Sequence, residues 1–111
     1  MSTGGVYTPS TSILIENDEI GFNKNWGNYG VDKRKVELLL LTEFKMRNLP
    51  ILIFRPTYIY GEGNNLYRES YFFQRIVDQL PIPYPDTKQV KTQFIHIEDF
   101  INITFEAIKK E

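Results

Sequence analysis

The chain contains no cysteine and a single histidine, His96. The first absence excludes a disulfide framework, a thiol nucleophile and any thiolate metal site. The second leaves no pair of imidazoles to hold zinc. No serine or acid stands at a recognisable triad spacing from His96, so this residue reads as a hydrogen-bonding structural histidine. Glu62 is the lone carboxylate beside Asn64 and Asn65, which is too few hard ligands for calcium or magnesium, and no metal is expected. Long apolar runs are also missing, and the existing ones are far too short to span a bilayer. Met1 to Tyr7 lacks a basic stretch followed by an apolar core, so it does not read as a secretory signal. The net charge is −1, which gives no global field to attract nucleic acid or an anionic membrane. The expectation is a cytoplasmic protein with no membrane partner, for which nucleic acid is a disfavoured one.

What is present is an ordinary globular composition. The 111 residues, 41% apolar and 24% charged, are enough for one compact domain and its core. The pattern of elements is α/β. Met1 to Tyr7 reads as a strand end and loop, and Thr8 to Asn28, rich in Thr, Ser, Asn and Gly, as mostly loop. From Asn28 or Tyr29 to about Asn48, Val36, Leu39, Leu40 and Phe44 recur at helical spacing until Pro50 stops them. The charged run from Asp32 to Glu37 reads as that helix's solvated face. Ile51 to Phe54 is a short apolar run that predicts a strand buried on both faces, the habit of a parallel sheet. Thr57 to Asn65 reads as a loop. Tyr67 to Gln79 predicts a second helix with Phe72, Phe73, Ile76 and Val77 on one side as core. Pro81, Pro83 and Pro85 force extended chain. Gln93 to Ile97 predicts a short strand, and Glu98 to Lys109 a third helix capped by Asp99.

The sharpest chemical signal is Tyr29-Gly30-Val31-Asp32-Lys33. Helix positions four apart share a face, so phenol and ammonium become neighbours. A nearby ammonium favours the phenolate, and a phenol so tuned exchanges a proton with substrate. Taken alone, a Y-x-x-x-K match is also what an ordinary exposed helix start gives by chance. Three other segments accompany it. They are Ser2-Thr3-Gly4-Gly5-Val6-Tyr7, Arg55-Pro56-Thr57-Tyr58-Ile59-Tyr60-Gly61 and Phe94-Ile95-His96-Ile97-Glu98-Asp99. Each stands at an expected strand end, and parallel α/β sheets bind ligands at the carboxyl ends of their strands.

In this order and spacing the four segments resemble the extended short-chain dehydrogenase/reductases, and within them the NAD-dependent epimerase/dehydratase family. Tyr67 to Phe73 together with Pro81-Ile82-Pro83 is similar to the branch that includes the chloroplast stem-loop RNA-binding proteins. The resemblance implies the C-terminal half of a Rossmann-like parallel sheet plus a small substrate-binding subdomain. It places the second half of the Rossmann-like domain, with the catalytic segment, at 1–60, and the substrate-binding subdomain and last helix at 61–111. It implies that Tyr29 is the acid/base, that Lys33 tunes Tyr29 and holds the nicotinamide ribose, and that Thr3 orients the reacting oxygen, with Ser2 a weaker candidate. Arg55, Pro56, Thr57 and Tyr58 would pass the nicotinamide, while Gly61 to Asn65 and Pro81 to Lys91 would cover the substrate. The implied activity is hydride transfer at a hydroxyl-bearing carbon of a sugar or sugar nucleotide, by an epimerase, dehydratase or reductase that uses NAD or NADP.

Two departures stand out. The G-x-x-G-x-x-G phosphate loop is missing, since neither Gly4-Gly5 nor the Gly61/Gly63 pair supplies it. The arginine that many nucleotide-sugar enzymes carry four residues before the His96 position is replaced by Thr92, next to Lys91. The implied partners are therefore a sugar and either a missing N-terminal half or a second copy of the chain. Two other readings remain: an inactive remnant, and an RNA-binding module on the same fold.

Overall fold

A computed structural model describes residues 1–84, 86 and 92–110. The chain forms two units, Met1–Thr57 and Tyr58–Glu111.

In the first unit, helix α1 spans Gly27–Arg47. Its middle is made of good helix formers, with Glu, Leu, Lys and Met prominent and no proline. Lys45 and Arg47 lie in its last turn, where cations meet the negative end of the dipole. The helix stops at Asn48, which turns left-handed (φ 51°) and donates its N–H to the Phe44 carbonyl at 2.9 Å. Pro50 follows and prevents continuation. These bounds lie close to those expected from periodicity. The apolar stripe that signalled the helix is not its buried face, however. Gly30 and Glu37 are its buried residues, whereas Val36, Leu39 and Phe44 are exposed.

Before α1, Gly4–Val6 forms a 3-10 turn capped by Thr3, whose Oγ1 accepts a hydrogen bond from the Gly5 N–H at 3.2 Å. Tyr7 then pairs with Ile20 in an antiparallel bridge. Val6 and Tyr7 are the buried apolar residues among those described. The turn packs on the start of α1 through two glycines. A Cβ on Gly5 would stand 2.8 Å from the Trp26 ring, and one on Gly30 would stand 2.8 Å from the Gly5 carbonyl oxygen. The second obstacle is backbone and cannot swing aside. Gly30→Ala should therefore cost about 1–3 kcal/mol through overpacking, read as a lower urea midpoint. An unchanged midpoint would mean that the turn moves freely.

Ile51 to Phe54 is a correction to the sequence reading: it is not a strand buried on both faces. No strand is assigned there, and Leu52 is exposed. The Ser2 N–H donates to the Phe54 carbonyl (2.7 Å) and the Gly4 N–H to the Pro56 carbonyl (2.9 Å), in the sense of a parallel pair. Pro50 and Pro56 lack N–H groups, so the bracketing residues cannot return hydrogen bonds. Double-sided burial needs layers on both sheet faces, and Leu52 keeps 45% of its surface exposed.

In the second unit, β1 (Tyr58–Tyr60) pairs in parallel with β2 (Phe94–His96), with Ile59 opposite Ile95. Helix α2 (Glu69–Val77) connects them, and α3 (Ile97–Lys109) leaves β2 directly. This is a β-α-β unit, in keeping with the α/β class. β1 corrects the expected loop over Thr57 to Asn65. Tyr, Ile and Tyr favour a pleated, half-buried surface, and their burial is intermediate throughout. The expected core face of α2 is corrected too, because Phe72, Phe73, Ile76 and Val77 are all exposed, Val77 at 76%. The cap of α3 is His96 rather than Asp99: His96 Nδ1 accepts the Glu98 N–H at 3.4 Å. Asp99 lies in the first turn, where its charge favours the dipole. Among the described residues, no helix is long and apolar enough to cross a membrane. The substrate-covering stretch expected from Pro81 to Lys91 falls partly outside the described residues.

Candidate functional site

Tyr29 and Lys33 stand on one side of the first turns of α1. The Lys33 ammonium lies 5.9 Å from the Tyr29 ring centroid, within cation–π range. Tyr29 is 50% exposed, and its other flank rests on Trp26, with ring centroids 5.9 Å apart. Lys33 Nζ also donates to the Met1 carbonyl at 3.5 Å, a long contact that leaves most of its donor capacity free. Thr3 stands two residues before Gly5, and Tyr29 one before Gly30. The Gly5–Gly30 contact thus makes the hydroxyl-bearing turn and the phenol-bearing helix start neighbours. Because Thr3 Oγ1 accepts from Gly5, its own proton remains available to donate outward. Ser2, the weaker candidate, is 7% exposed and points inward.

Arg55 is diverted from the surface. Its guanidinium forms a fork onto Glu37, with Nη2 to Oε2 at 2.7 Å and Nε to Oε1 at 3.0 Å. Nη1 donates to the Tyr7 hydroxyl at 2.8 Å and to the Glu16 carbonyl at 3.1 Å. The Arg55 and Glu37 side chains are only 17% and 3% exposed. Burial pushes the Glu37 carboxyl up. Hydrogen bonding from Arg55, a hydrogen-bonding contribution from the nearby Ser2 hydroxyl and the Arg55 charge together outweigh burial and hold it below the usual carboxylate range. Arg55 is raised further by Glu37 and stays charged at any working pH. The Pro56 carbonyl is taken by the Gly4 N–H, and Thr57 is exposed.

This pair corrects the reading of Asp32 to Glu37 as a solvated face. Asp32 and Lys35 do pair in solvent, at 3.1 Å, but Glu37 turns inward. Its folded carboxyl ionises more readily than its unfolded one. The pair's contribution is therefore complete above the ordinary value near 4.5 and drains away as pH falls through the lower folded value. Between about pH 6 and about pH 3 the thermal midpoint of the wild type should drop further than that of Glu37→Gln, which has no such carboxyl to protonate. Equal drops would sink this assignment.

Tyr58 belongs to the second unit. Its ring packs on Phe94 (5.8 Å) and under the Arg68 guanidinium (5.1 Å). The loop after β1 is stapled by Glu69, whose carboxylate accepts from Asn64 Nδ2 (2.8 and 2.9 Å) and from the Gly61 N–H (3.3 Å). Hydrogen bonds from Asn64, the Glu69 and Gly61 amides and the Arg68 charge lower the Glu69 pKa. A carboxylate already holds the amide that a phosphate would need and would repel an incoming anion. Gly61, at φ 121°, is required here, because a Cβ would stand 2.8 Å from His96 Nε2.

Sequence reasoning missed Glu37 and Tyr7 as structural partners of the site, whereas Trp26, just before the helix, is expected from its position to cover the helix start, and it does. One signal was available: Glu37 continues the four-residue spacing of Tyr29 and Lys33, so all three share a helical flank. No curated protein and no solved structure matches the chain. The model of the NAD dependent epimerase/dehydratase family matches residues 1–111, so the chain belongs to that family, and its α/β architecture is that of a partial Rossmann-like fold.

Proposed function

We propose that this chain is the proton-transferring and substrate-facing part of an NAD(P)-dependent enzyme acting on a sugar or sugar nucleotide. The observation that carries the reading is the grouping of Tyr29, Lys33 and the Thr3 turn at the start of α1. Family membership supports the nicotinamide dependence.

The residues present fit one end of such a cofactor. Lys33 has donors to spare for ribose hydroxyls, and the half-exposed Tyr29 phenol is open to a reacting oxygen. Among the described residues, no glycine turn is free to cradle the pyrophosphate end. Gly4 and Gly5 are packed against the Pro56 carbonyl and Trp26, and Glu69 occupies the glycine loop of the second unit. The cofactor, when bound, supplies hydride acceptance and donation. Tyr29 takes or returns the proton of the substrate hydroxyl, Lys33 stabilises the phenolate, and Thr3 donates a hydrogen bond that orients the same oxygen.

The phosphate grip then belongs to another polypeptide segment, either an N-terminal half or a second copy. The apolar residues that α1 and α2 expose support a covering partner. Calorimetric titration with NADH tests this. The chain alone should show no saturable binding below millimolar cofactor, and a protein joining it to a G-x-x-G-x-x-G half should bind tightly. Equal affinity of the two would refute the division of labour.

A further inference from the structure

Behind Lys33, the first residues of the chain and α1 enclose a cavity of about 50 Å³, whose lining includes Met1, Ser2, Lys33, Glu37, Leu52 and Ile53. Ser2 Oγ is buried and lies near the Glu37 carboxylate, yet it completes no hydrogen bond of good geometry to any described residue. Buried hydroxyls are seldom left in that state. Other polar groups line the same space. Glu37 keeps lone pairs beyond those used by Arg55, and Lys33 keeps donors beyond the one given to Met1.

We propose that a resident water molecule occupies this cavity, hydrogen-bonded to Ser2 Oγ, the Glu37 carboxylate and the Lys33 ammonium. A buried water needs roughly 10–15 Å³ of such space and typically makes about three hydrogen bonds. The cavity meets the first condition, is too small for a sugar or a phosphate ester, and offers the three partners. The water donates to Glu37, accepts from Lys33 and completes the Ser2 hydroxyl. It ties the Lys33 ammonium to the buried Arg55–Glu37 pair, so the placement of Lys33 beside Tyr29 is set by a fixed network and not by a flexible stem. Ser2 is thus a positioning residue acting through the water. The water site stands on the cavity and the unpaired hydroxyl alone, and only its use in proton transfer rests on the proposed function.

A high-resolution crystal structure of the wild-type chain should show density in the cavity within about 2.7–3.2 Å of Ser2 Oγ and Glu37. In solution the same water should give an exchange-resistant NOE to the Ser2 β-protons. In Ser2→Ala, which removes one atom and leaves the backbone bond to Phe54, the water should be lost or displaced. Nitrogen relaxation should then report a more mobile Lys33 ammonium. A dry cavity with Ser2 Oγ turned directly onto Glu37 would overturn the proposal. So would a water and a Lys33 order that Ser2→Ala leaves unchanged. Failure of the protein joined to a G-x-x-G-x-x-G half to bind NADH would count against the proposed function and leave this site untouched.

Discussion

Glu37→Ala should destabilise the first unit by about 3–5 kcal/mol, the usual cost of stranding one partner of a buried ion pair. Set against a total stability of roughly 5–15 kcal/mol for a domain, that loss brings Met1–Thr57 close to unfolding in water. The cost arises because Arg55 is 17% exposed and cannot follow its partner's loss by turning fully into solvent. Its remaining hydrogen bonds, to the Tyr7 hydroxyl and the Glu16 carbonyl, carry no compensating charge. Arg55→Lys should be nearly as harmful, since an ammonium cannot form the two-pronged bond to Glu37 and reach Tyr7 at once. The double variant Glu37→Met with Arg55→Leu should be more stable than either single variant, because it removes both charges together. Urea midpoints of the four proteins decide the matter. A Glu37→Ala midpoint within error of wild type would show that the pair is ornamental.

Tyr29→Phe should lower kcat by roughly 10²–10⁴-fold, the usual contribution of a positioned acid/base, in a protein that joins this chain to a phosphate-gripping half. Cofactor affinity should hardly change, because the ring still rests on Trp26 and below Lys33. The substitution removes one oxygen at a half-exposed position, so stability should hold as well. Lys33→Met should lower both turnover and cofactor affinity if, as proposed, the ammonium serves the phenolate and the ribose together. Turnover retained by Tyr29→Phe would remove the phenol from the mechanism, whatever the fate of Lys33.

Helices were easier to read from the sequence than strands, for physical reasons. α1 carries its own stop signals in Asn48 and Pro50, and its helix formers act locally. Ile51 to Phe54 looked like a buried strand because an apolar run reports a wish for burial, and burial depends on what else is present. Tyr58 to Tyr60 was hidden by the glycines that follow it, although its side chains suit a sheet. The phenol–ammonium pair was legible because its spacing is a helical repeat. The Glu37–Arg55 bond spans 18 residues of sequence, and no local pattern announces it. The need for glycine at position 30 was equally invisible, because the obstacle is the carbonyl of Gly5, brought there by folding.

Trp26 is the chain's only tryptophan, and its indole lies where the Gly4–Val6 turn meets α1. Its emission is therefore a private optical channel for the first unit. Loss of the turn from the helix start would change the indole's surroundings at once, whereas α2 and α3 carry no tryptophan of their own. Far-ultraviolet ellipticity, to which all three helices contribute, would record the melting of either unit. A gap between the two curves would measure how independently the halves of this polypeptide come apart.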